Sequence, residues 1–80
     1  MRYAIHIDGQ PFAEFPDTDL ETVEWIAKNV AVNNAPKCVA IRDGGQTMKD
    51  PARRTYKVEE GVMKWSELSP SRIDIGETKL

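Results

Sequence analysis

One amphipathic segment constrains this chain more than any other. Residues 18–34, TDLETVEWIAKNVAVNN, set Leu20, Val23, Ile26, Ala27, Val30 and Ala31 at helical spacing and so make a single apolar stripe. Thr18 is positioned to cap this helix, and Glu21 three residues later completes a capping box. Asp19, Glu21 and Glu24 suit the positive end of the helix dipole. At the far end Asn33 and Asn34 suit a left-handed termination, and Pro36 prevents continuation. At about 100° per residue, Trp25 falls roughly opposite the stripe, beside Lys28, Asn29 and Val32. One helix with one stripe implies a small α+β domain. An indole off the stripe points to a partner.

Around the helix the chain reads as strands. Residues 2–8 alternate Tyr3, Ile5 and Ile7 with Arg2, Ala4, His6 and Asp8. Asp8-Gly9-Gln10-Pro11 supplies a turn, and residues 12–15 follow as a short strand that Pro11 and Pro16 confine to an edge or to strand ends. Residues 37–42 carry the unbroken run Cys38-Val39-Ala40-Ile41, the pattern of a central strand covered on both faces or nearly so. Asp43-Gly44-Gly45 turns the chain, and residues 46–54, aperiodic and carrying Pro51, read as an exposed loop or ragged edge. Residues 53–58 and 62–66 form a second hairpin across Glu59-Glu60-Gly61, read as a type I turn with a glycine bulge. That register sets Val58 opposite Val62, Lys57 opposite Met63 and Tyr56 opposite Lys64.

The expected fold is α+β: a four- or five-stranded, mostly antiparallel sheet in ββαβββ order, with the helix packed on one face. Residues 1–68 form the single domain. Residues 69–80 follow as a polar tail, or as a short edge strand around Ile73 and Ile75.

Composition narrows the function classes. Eighty residues, 40% hydrophobic and 30% charged, suit one soluble domain near the lower size limit for unaided folding. Cys38 is the only cysteine, which excludes an internal disulfide and a cysteine-rich zinc site, and its apolar neighbours read as those of a small buried hydrophobe. His6 is the only histidine and reads as structural. Capping accounts for Asp17, Asp19, Glu21 and Glu24, and a turn accounts for Glu59-Glu60. Asp43-Gly44-Gly45-Gln46 follows a strand but leads into no helix, so it fails as a phosphate loop. The chain therefore reads as non-enzymatic, with no catalytic, cofactor or metal site. No apolar run approaches a membrane span and MRYAIHIDG lacks a signal-peptide core, so a cytoplasmic setting without membrane contact is expected.

Charge is distributed as acidic, basic, acidic. Residues 1–31 hold six acids against two bases, and residues 32–57 hold six bases against Asp43 and Asp50. Lys49, Arg53, Arg54 and Lys57 lie within nine residues, beside Tyr56. Three readings stand for that loop: an ordinary solvated segment, a patch for an acidic protein surface, or a site for a phosphate backbone with a stacked base. The acidic N-terminal third argues against broad nucleic-acid affinity. One helix covers one sheet face, so the other face is expected to carry some of Phe12, Tyr56, Met63 or Trp65. Aromatics and Arg are over-represented at interface centres. The candidate partner-binding residues are Trp25, Lys49, Arg53, Arg54, Tyr56, Lys57 and Trp65.

The succession RYAIHIDGQPFAEF, DLETVEWIAKN and VAIRDGG, within residues 2–66, resembles the layout of very small accessory proteins of phages and mobile elements. Some anti-CRISPR proteins and phage inhibitors of host enzymes share that hairpin–helix–strand order. The resemblance implies an inhibitor or adaptor in the host cell cytoplasm. It would block a surface of a host protein or ribonucleoprotein complex by contact. The alternatives are a nucleic-acid-binding module that uses residues 49–57, and a homodimer with a self-complementary bare sheet face.

Overall fold

Two tight turns set the strand registers. Asp8 and Gly9 have φ of 48° and 81°, and Glu60 and Gly61 have φ of 51° and 75°. Two successive residues at positive φ make a type I′ turn, whose twist matches that of the strands it joins. The computed structural model describes residues 2–44, 52–69 and 71–80. Its elements are β1 (Tyr3–Ile7), β2 (Gln10–Phe15), α1 (Leu20–Asn33), β3 (Val39–Asp43), β4 (Arg54–Glu59), β5 (Val62–Ser69) and β6 (Arg72–Lys79). The strands form one antiparallel sheet in the order β2-β1-β3-β4-β5-β6. α1 packs against β3 and β4 and touches β1.

Among the described residues the α+β class and the single helix agree with the sequence reading, but the sheet has six strands in ββαββββ order. The extra strand is β6. It pairs with β5 from Val62↔Lys79 to Ser69↔Arg72, where composition suggests a tail or a short edge strand. Its ladder to β5 forms through backbone groups, so it needs few apolar side chains, and as an edge strand it pairs through only half of its N–H and C=O groups.

The second hairpin is the main correction. Its loop is the two residues Glu60-Gly61, so Glu59 pairs with Val62, Val58 with Met63, Lys57 with Lys64 and Tyr56 with Trp65. A one-residue change of register moves every side chain of a strand to the other face. Met63 and Trp65 therefore join Tyr56 and Val58 on the helix side. The opposite face is largely polar there: the Thr55 and Ser66 hydroxyls bond each other, and Lys57 and Lys64 lie 3.4 and 3.9 Å from Glu59.

The helix ends also differ from expectation. Asp19, not Thr18, is the N-cap: its Oδ2 accepts from the Thr22 N–H at 3.3 Å, and the Thr22 hydroxyl donates to Oδ1 at 2.7 Å. A carboxylate that takes both donors of Thr22 outcompetes a threonine one residue earlier. Asn34 ends the helix at φ −119°, outside the left-handed region, and both its backbone N–H and its Nδ2 donate to the Val30 carbonyl. The side-chain amide does the capping that a left-handed residue would otherwise do.

Val23, Ala27 and Ala31 of α1 are buried against Tyr3, Ile5, Val39, Ile41, Tyr56, Val58 and Met63. Leu20, Ile26 and Val30 pack beside them, so the whole predicted stripe faces the sheet. β3 is central, as its sequence suggests, yet only its Val39 and Ile41 face is covered. Cys38 and Ala40 remain half-buried. Among the described residues no helix is long and apolar enough to cross a membrane.

The cap carries a pH signature. Hydrogen bonds from Thr22, its hydroxyl first and then its backbone N–H, hold the Asp19 carboxyl below its ordinary pKa. A depressed folded pKa stabilises the fold above the unfolded pKa, about 4, and that contribution disappears as pH falls through the folded value. Asp19→Ala is expected to lower the thermal midpoint at pH 7, Asp19→Ser to retain most of it, and the Ala deficit to shrink at about pH 2. Circular-dichroism melts at the two pH values check this. An Ala deficit that does not shrink in acid would exclude a charged cap.

Candidate functional site

A 14-residue helix is narrower than six strands, so α1 leaves the β5–β6 side of its own sheet face uncovered. A groove of about 490 Å³ opens there between the flank of α1 and the strand floor. Trp25, Lys28 and Val32 form the helix wall, Tyr56 and Trp65 lie in the floor, and Leu80 stands at the far side. Trp25 is 68% exposed, and Val32 and Leu80 are exposed as well. Trp25 and Val32 take these positions from the helical angle that sets them off the buried stripe.

Trp65 rests on a glycine. Gly76 pairs with it on β6, and a Cβ built there would sit 2.6 Å from Cε2 and 2.9 Å from Cη2 of the indole. Any side chain at position 76 would displace the ring. Gly76 is what lets the half-buried indole lie across β6 and shape the floor.

A polar network runs beneath this surface. The Arg54 side chain, only 13% exposed, places Nη2 3.2 Å from Glu67 Oε1 and Nε 3.7 Å from Glu24 Oε1, while Nη1 donates to the Arg53 carbonyl at 3.1 Å. Arg54 therefore ties α1 to β5 across β4. Tyr56 is buried, its hydroxyl donates to Glu24 Oε2 at 3.4 Å, and Lys28 Nζ stands 5.9 Å from its ring centre. Burial, and after it the Glu24 carboxylate, pushes the Tyr56 phenol far above its ordinary pKa, so it remains a neutral donor.

The seven predicted residues thus separate. Trp25, Arg54, Tyr56 and Trp65 line one groove. Arg53 does not: it pairs with Asp43 at 2.8 and 3.2 Å and lies 5.9 Å from the Tyr3 ring centre. The Asp43 bond raises the guanidinium pKa still further. Lys57 points to the face opposite the helix, beside Glu59. Lys49 lies outside the described residues. Tyr56, Met63 and Trp65 sit under or beside the helix rather than on the bare face: β3 pairing turns Tyr56 to the Val39 side, and the register above brings Met63 and Trp65 to it. Phe12 is exposed on the edge strand β2. The sequence reading missed Gly76 and Leu80. The alternation of Ile73 and Ile75 was the available signal for both, since extending that strand carries Gly76 opposite Trp65.

Other chemistry-bearing residues do not converge. Asp8 is engaged by Cys38, whose N–H donates to Asp8 Oδ1 at 2.9 Å. Burial, and then the Asp8 charge, raises the Cys38 thiol pKa, which disfavours thiolate. Among the described residues no three His, Cys, Asp or Glu side chains gather as metal ligands.

Gly76→Ala is expected to cost about 1–3 kcal/mol through overpacking against Trp65, opposite in sign to the usual gain when alanine replaces a strand glycine. Chemical denaturation followed by tryptophan emission reads both the loss and the moved indole. A variant as stable as the parent, with unchanged emission, would refute this packing.

Arg54→Ala is expected to lower stability by roughly 1–3 kcal/mol, a figure reduced from that of a fully buried pair because both carboxylates reach solvent. A denaturation midpoint equal to that of the parent would show that the clamp is not structural.

Comparison of the chain with protein-family models, with curated proteins and with solved structures returns no match.

Proposed function

We propose that this chain is a non-enzymatic protein-binding module that takes an apolar anchor of a partner protein into the α1–β5–β6 groove. The single observation behind this reading is Trp25, a large apolar side chain left 68% exposed on the wall of a groove with a second indole in its floor. Aromatic side chains in concave, partly dry surroundings carry most of the energy at protein interfaces. Both charge signs surround the groove, Lys28 on the helix and Glu24 and Glu67 beside it, and they suit orientation of a partner rather than bulk attraction.

The mechanism is occlusion. A bound chain of this size covers a partner surface without chemical change. The resemblance in layout to small phage accessory proteins is what suggests a host protein complex as the target and inhibition as the result. Against the nucleic-acid alternative, Arg53, Arg54 and Lys57 each lie against a carboxylate, and Lys57 points away from the face that holds Arg54.

Trp25, not Arg54, is the residue that probes binding. Trp25→Ala removes an exposed side chain, so stability should stay within about 0.5 kcal/mol of the parent. Peptides selected from a displayed random library on the immobilised chain are expected to share one large apolar residue. They should bind Trp25→Ala roughly 30-fold more weakly, as for an interface hot spot. Enriched peptides that bind both forms equally would remove the groove as the site.

A further inference from the structure

The two edges of the sheet are built differently. β2 contains Pro11, which lacks a backbone donor, and its pairing with β1 shifts register between Ile5 and His6. Proline and bulges both spoil an edge as a template for another strand. β6 has neither, and it keeps unbroken register with β5 over all eight residues. The Leu80 N–H donates to the Gly61 carbonyl. Alternation along an antiparallel ladder then turns residues 72, 74, 76 and 78 toward β5, and it aims the N–H and C=O of Ile73, Ile75, Glu77 and Lys79 outward. Ile73 and Ile75 are also 61% and 79% exposed.

We propose that β6 pairs antiparallel with β6 of a second copy of this chain, about a two-fold axis at Ile75, to make one continuous sheet. The strand RIDIGETK matches its own reverse in that register. Ile75 meets the partner subunit's Ile75, Ile73 meets the partner subunit's Glu77, and Asp74 meets the partner subunit's Gly76. No like charges stand directly opposite. The two Asp74 carboxylates approach only on a diagonal, and Arg72 holds each one at 3.1 Å.

Neighbouring registers are worse. Outward groups must meet outward groups, so the next registers centre on Asp74 or on Gly76. The first sets Asp74 against its own copy. The second separates the isoleucines and sets them against Glu77 and Lys79. Only the Ile75-centred pairing brings apolar side chains together without direct repulsion. Leu68, which pairs with Ile73 within the chain, extends that apolar strip on the face away from the helix.

The β6–β6 pairing is independent of the groove but has a consequence for it. A two-fold axis normal to the sheet keeps both helices on one side. The two grooves then share a floor of paired β6 strands, and Trp25 of each copy faces inward across it.

Sedimentation velocity from about 5 µM to about 500 µM, with amide exchange by NMR, tests the pairing. The expected result is a concentration-dependent dimer in which the amides of Ile73, Ile75 and Glu77 gain at least tenfold protection. Ile75→Lys, which opposes two charges at the axis, is expected to weaken dimerisation roughly 30-fold while circular dichroism shows the fold retained. Ile75→Pro removes the outward donor and should act in the same direction. A monomer across the whole range overturns the proposal. So does a dimer in which those three amides exchange freely, or one that Ile75→Lys leaves intact.

Discussion

The turn at Glu60-Gly61 governs the rest of the molecule. Two residues at positive φ leave no spare residue in the hairpin, and the pleat then allots each side chain of β5 to one face. Met63 and Trp65 go to the helix side, where they meet Val58 and Tyr56. β6 inherits its facing from β5, which brings Gly76 beneath the Trp65 indole and sends Ile73 and Ile75 to the other face. One more residue in that loop would invert every one of these positions. The groove and the outward facing of Ile73 and Ile75 are thus consequences of a single local geometry.

Coverage is the second constraint. A small chain buries a limited fraction of its surface, and here α1, the only helix among the described residues, sits over β3 and β4. Its small inward residues, Ala27 and Ala31, bring it close to those strands. What lies beyond its flank is floor without roof. The network of Arg54, Glu24, Glu67 and Tyr56 closes the seam between helix and strands, so charge beneath the groove serves cohesion, whereas apolar surface at its rim is left for contact. This division explains why one member of the predicted basic cluster belongs to the structure and why Trp25 does not.

Much of the fold was legible because its signals are local. The stripe from Leu20 to Ala31 needs only neighbours three and four residues away, and the solvent-facing position of Trp25 follows from the same angle. The alternation of Tyr3, Ile5 and Ile7 likewise marks a face. The candidate site was only half legible. Proximity in sequence groups Arg53, Arg54 and Lys57, yet Arg54 and Lys57 point to opposite sides of β4, Arg53 precedes that strand, and each cation found a different carboxylate. The helix ends show the same limit on a smaller scale, since two adjacent residues, Thr18 and Asp19, both carry capping chemistry and only the hydrogen bonds to Thr22 distinguish them.

From the amino acids alone came one amphipathic helix with an indole off its buried side, and strands around it. Those features depend on residue type and on spacing over a few positions. Tertiary structure alone decided which face each strand of the second hairpin presents, which edge of the sheet stays open, and which charges pair. These depend on loop length and on partners far apart in the chain, and no local pattern encodes them.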